Sequence, residues 1–170
     1  MNDLQKQYSI IIHSLVNLEN IDFHNGDLGY GLSNYIAKYS LAKDKYYISK
    51  EAYNLIQELF DNIPNPLIRS SKQKNGFTYD HAIPVNKVKN KLLELTNKSL
   101  ESVQNVLKAS DYVTIITTFE NDLLTQNGLK QRLPGDIEWT SEVDPFIRYI
   151  TSDISIMNEL IVPMRGAIIR

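Results

Sequence analysis

The residues with the clearest chemical capacity are Asp80 and His81, in the string Asp80-His81-Ala82-Ile83-Pro84. An imidazole titrates near neutrality, so it can take a proton from water and act as a general base. The structural alternative is a histidine that only hydrogen-bonds its neighbour or a backbone carbonyl. Charge adds a second pointer. The chain has 170 residues and a net charge of -2. Arg69, Lys72, Lys74, Lys87, Lys89 and Lys91 nevertheless cluster around a single acid, Asp80. A basic strip on an acidic body suits gripping phosphates at one place, whereas a solvated helix face is the plainer account of Lys87, Lys89 and Lys91.

Other chemistry is thin. With Cys 0, there is no disulfide framework, thiol nucleophile or zinc knuckle. No Gly-x-Ser-x-Gly occurs. Asp22, His24 and Asp27 could ligate a metal, but Asp22-Phe23-His24-Asn25-Gly26-Asp27 has the composition of a turn. Gly26, Gly29 and Gly31 match neither the dinucleotide nor the P-loop order. Asp136-Ile137-Glu138 lacks the following lysine that would make it a paired-carboxylate catalytic motif, and Trp139 reads as a packing residue. His13 falls in an apolar stripe and reads as a core or boundary histidine.

The elements that must position Asp80 and His81 follow from periodicity. Residues 4–18 carry Ile11, Leu15 and Leu18 at helical spacing. Residues 21–31 read as a loop, with Ser33 capping a short helix through Leu41. Ser49 caps a helix bearing Tyr53, Leu55, Ile56, Leu59 and Phe60, which the prolines at 64 and 66 end. After a polar turn over 70–76, residues 77–85 read as a strand running into a proline-bounded loop. Helices are expected over 86–95 and 99–107. Residues 112–117 are β-forming by their branched and aromatic side chains. Thr118 then caps a helix with Glu120 in its first turn, ending at Gly128. A further helix opens at Pro145, with Phe146 and Tyr149 facing the core.

Asp80-His81-Ala82-Ile83-Pro84 at a strand end resembles the first motif of HNH nucleases, the ββα-metal fold. The stretch Val113-Thr114-Ile115-Ile116-Thr117-Thr118-Phe119-Glu120-Asn121 is similar to that fold's second strand, threonine and helix start. The resemblance covers residues 77–121. It implies His81 as general base, Asp80 and Asn121 as ligands of Mg²⁺ or Mn²⁺, and Lys72, Lys74, Lys87 and Lys89 as substrate-binding cations. Such an ion would offset charge developing on the phosphodiester. The span between His81 and Asn121 is long for a compact unit. Its middle residue has only Asn105 as a candidate by order, and Glu120 or Asp122 would replace Asn121 after a one-residue slip.

The expectation is an α+β, mainly helical protein with a ββα-metal-like unit elaborated by inserted helices. Residues 1–66 form a helical region, 67–133 the HNH-like unit and 134–170 an extension, within one compact domain. The implied function is metal-dependent DNA cleavage, in a restriction or defence setting. The alternative is a non-catalytic inhibitor or immunity-type protein, whose acidic residues 136–144 and ten tyrosines would meet a basic protein partner. No run of about 18 apolar residues suggests a membrane span, and the N-terminus lacks signal-peptide order, so a cytoplasmic protein is expected.

Overall fold

The structure, a computed structural model, describes residues 1–24, 26–43, 46–59 and 76–157. Asn2 starts α1 (Asp3–Val16): its side chain accepts from Gln5 N at 2.9 Å and Gln5 Oε1 accepts from Asn2 N, a reciprocal cap. Helix α2 (Gly26–Leu41) corrects the expected loop over 21–31. Its buried stripe of Leu32, Ile36 and Tyr39 overrides the poor helix propensity of three glycines. Gly29 lies so close to the Phe23 carbonyl that a Cβ there would collide. Ser33 is therefore interior to the helix, and its Oγ donates to Gly29 O.

Strand β1 (Tyr47–Ser49) was not expected, and it runs directly into α3 (Lys50–Leu59). Ser49 caps that helix as foreseen, accepting from Ala52 N at 3.1 Å. The expected helix end at 62–66 and turn at 70–75 lie outside the described residues. Next come β2 (Phe77–His81), α4 (Val85–Leu93), α5 (Leu100–Ala109) and β3 (Val113–Thr117). They are followed by α6 (Thr118–Gln126), α7 (Ile147–Thr151) and the edge strand β4 (Ile156–Met157). The cap of α6 is Thr117, one residue before the expected Thr118. Gly128, at φ +69, terminates α6. Helix α7 begins two residues after Pro145.

The strands form one mixed sheet in the order β2-β3-β1-β4. Strand β3 is antiparallel to β2 and parallel to β1, while β4 is antiparallel to β1. Val113 and Ile115 of β3 pack with Ile48, Phe77 and the α3 residues Ala52 and Ile56. Ile116 packs with Leu124 of α6 and Tyr149 of α7. A third apolar cluster joins α1, α2, α4 and α5 over Trp139, which is 4% exposed and packs as expected. The fold is α+β and mainly helical, with 54% of the described residues in helix. Its β2–β3–α6 order contains α4 and α5 as the inserted helices.

Candidate functional site

Strand β2 places Asp80 and His81 at its end, where Asp80 pairs with Thr114 and His81 with Val113. Side chains of adjacent strand residues leave opposite faces of a sheet, and these two find different partners. The His81 ring turns to α2, with Nε2 3.4 Å from Ala37 O. A carbonyl can only accept, so Nε2 carries the hydrogen and Nδ1 keeps its lone pair. Burial lowers the His81 pKa, outweighing the Ala37 bond and the Asp80 charge, and Lys43 and Arg148 push the same way. The ring is neutral at neutral pH.

Asp80 turns to α7. Tyr149 donates its hydroxyl to Asp80 Oδ2 at 2.7 Å, and Arg148 Nη1 lies 3.3 Å from the same oxygen. Arg148 is fully buried. Its Nε donates to Leu129 O at 2.7 Å, Nη1 to His81 O at 2.6 Å and Ala82 O at 3.3 Å, and Nη2 to Lys130 O at 3.2 Å. One planar fork thus ties the end of β2 to residues 129–130 while partly neutralising Asp80. Burial, then the Asp80 charge, raises the Tyr149 pKa well above the usual phenol value, so the hydroxyl stays protonated and donates.

Asn121, one turn into α6, lines the same cleft as Asp80 and His81. Ser33, Thr78, Asn86, Lys130 and Gln131 line it too, around a volume of about 380 Å³. Asn86 Nδ2 donates to Gln131 O at 3.1 Å across one rim. Lys130 is the cation lining this cleft among the described residues. Lys89 donates its Nζ to Phe23 O at 3.1 Å, which commits it to the fold. Lys87 is half-buried on α4, and Lys72 and Lys74 lie outside the described residues.

Glu120 is buried. Its Oε2 accepts from Ser49 Oγ at 2.6 Å, Thr117 N at 2.8 Å and Thr117 Oγ1 at 3.0 Å, so it braces two helix starts. Asp122 and Asn105 are exposed and not part of the cleft lining. Asp22 accepts from His24 N, the local bond of a turn. A second polar cluster joins Gln5 Nε2 to Asp111 Oδ2 at 2.9 Å and Lys43 Nζ to Asp111 O at 2.6 Å. Lys43 Nζ also lies 3.0 Å from Asp111 Oδ1, an ion pair without hydrogen-bond alignment. Burial lowers the Lys43 pKa against the pull of Asp111.

Sequence reasoning missed Arg148, Tyr149 and Lys130 as parts of this site. The signal for Arg148 and Tyr149 was an arginine beside a tyrosine inside an otherwise apolar helix pattern, and Lys130 had none.

No family model, curated protein or solved structure matches the chain. Among the described residues, no group of three or more His, Asp or Glu side chains is placed to hold a metal. Tyr149 and Arg148 both meet Asp80 at Oδ2, which leaves Oδ1 and the Asn121 amide oxygen as oxygen donors from the two expected ligands at the cleft. Two oxygen donors fit a Mg²⁺ ion that keeps most of its waters. A carboxylate whose second oxygen is hydrogen-bonded is the usual form of such a ligand. The Arg148 charge weakens the fit.

Proposed function

We propose that the chain is a divalent-metal-dependent endonuclease of the HNH type that hydrolyses DNA phosphodiester bonds at this cleft. One observation carries the reading: Asp80, His81 and Asn121, singled out by residue type and order, line one cleft on a strand–strand–helix unit. His81 is neutral and retains an unprotonated Nδ1, the form a general base requires. Asp80 and Asn121 would hold Mg²⁺ or Mn²⁺, which when bound supplies a positive charge against the charge developing on the phosphodiester. Lys130 offers a cation to the substrate phosphate. A cytoplasmic, defence-related setting belongs to the same proposal. No helix among the described residues is long and apolar enough to cross a membrane.

The test is cleavage of plasmid and single-stranded DNA with Mg²⁺ and then Mn²⁺, for the wild type beside His81→Ala and Asn121→Ala. Metal-dependent cutting, lost in both variants while urea unfolding remains cooperative, is the expected result. Cutting that survives His81→Ala overturns the reading.

A second reading rests on a different observation. Glu138, Glu142, Asp144 and Asp153 are exposed, and Ile137 and Ile150 stand out 40% and 60% exposed in the same part of the chain. An acidic surface with apolar anchors suits a non-catalytic protein that binds a basic partner. Intact DNA under every metal condition, with Asp80 serving only to pair Arg148, favours that reading.

A further inference from the structure

The residues lining the cleft define what it can hold. Asp80 is paired with Arg148, and Lys130 is the cation that lines the cleft among the described residues. The remaining polar groups are the amides of Asn86, Asn121 and Gln131 and the hydroxyls of Ser33 and Thr78. One cation meets one phosphate, while amides and hydroxyls meet the donor and acceptor edges of a base. Gripping a duplex backbone requires several cations in a row, and Lys89, the strip's nearest candidate on α4, is committed to Phe23 O. The cleft volume of about 380 Å³ is of small-ligand size, suiting one unit of a chain more than a double helix.

A platform stands beside it. Tyr30 of α2 is 75% exposed. It lies one turn before Ser33, which lines the cleft, and two turns before Ala37, whose carbonyl meets His81. Residues three and seven apart share a helix face, so Tyr30 flanks the cleft on the His81 side. Exposed aromatic rings beside a positively charged groove are how proteins hold unpaired bases. We infer that the cleft binds single-stranded DNA, one base stacking on Tyr30 and the adjoining phosphate meeting Lys130. This rests on the phosphodiester reading for the cleft's chemistry, and it adds the strandedness of the substrate and two residues that select it.

The experiment is fluorescence anisotropy without metal, using a labelled oligodeoxyadenylate strand and the same strand in duplex with oligothymidylate. The single strand is expected to bind more tightly than the duplex. Tyr30→Ala weakens single-strand binding roughly ten-fold, and Tyr30→Trp restores it. Lys130→Gln lowers the slope of log K against log salt by about 0.7, the value for one phosphate contact. Duplex binding equal to or tighter than single-strand binding overturns the inference, as does wild-type affinity in Tyr30→Ala. Metal-dependent cutting of duplex DNA unchanged by Tyr30→Ala also overturns it while sparing the nuclease reading. Tight, Tyr30-dependent binding without cutting upholds the inference and removes that reading.

Discussion

Replacing Arg148 by lysine isolates the geometry of the guanidinium fork, because the charge opposite Asp80 survives. Arg148 reaches four carbonyls, those of His81, Ala82, Leu129 and Lys130, and the Asp80 carboxylate. A lysine has one nitrogen and meets about two of these at once, so the Leu129 and Lys130 carbonyls lose their donor. Hydrogen bonds involving a charged group contribute about 1.5–3 kcal/mol each, and a buried acceptor left unpaired costs about as much. Two such losses, partly relieved by an entering water, sum to about 3 kcal/mol. With a urea m-value of about 2 kcal/mol/M for a chain of this size, the unfolding midpoint should fall by about 1.5 M at an unchanged slope. Equilibrium urea unfolding followed by the Trp139 fluorescence measures this directly. A loss below about 1 kcal/mol would refute the claim that the fork holds residues 129–130 against the end of β2.

Tyr149→Phe removes one hydroxyl and its bond to Asp80 Oδ2, and should cost about 1.5 kcal/mol by the same urea assay. Burial holds the His81 pKa below its unfolded value, so the unfolded chain binds the proton first. Stability from this group is present above about pH 6.5 and is lost as pH falls below it, by at most about 1.4 kcal/mol per pH unit. His81→Gln should flatten that part of the stability profile between neutral and mildly acidic pH. Gly29→Ala drives a Cβ into the Phe23 carbonyl and should cost about 2 kcal/mol, a melting-temperature drop of about 4–8 °C. Gly31→Ala meets open space in the same helix and should raise it, by about 0.5–1 kcal/mol.

The end of the strand at His81 and the opening of the helix that carries Glu120 were legible because local rules apply there, although the cap is Thr117 and not the expected Thr118. A β-forming run ends at His81, and a threonine with an acidic residue in the first turn marked the start of α6, one residue late. Asn121 was singled out only by the resemblance to the HNH motif, since alone it reads as an ordinary first-turn amide. Non-local contacts hid the rest. The stretch of three glycines reads as a loop until the cluster of α1, α2, α4 and α5 draws Leu32 and Ile36 inward. The three residues of β1 carry too little periodicity to separate from the helix cap that follows. Arg148 has no sequence signature as a clamp, because its four carbonyl partners come from segments 18 to 67 positions away.

The central position of β1 sets the order in which the chain can assemble. Its residues pair forward only, Tyr47 with Thr114 and Ser49 with Ile156. Lys50 N likewise bonds Ser155 O. During synthesis, β1 therefore waits with unpaired edges until β3 has emerged, and its second edge stays open until residues 156–157 follow. Pairing across such separations is slow, and an idle strand of this kind invites pairing with another chain. Helices α1 and α2, which pack on each other, are free to form first. Shortening the chain before residue 155 would strip β1 of β4 and leave the middle of the sheet with an exposed edge.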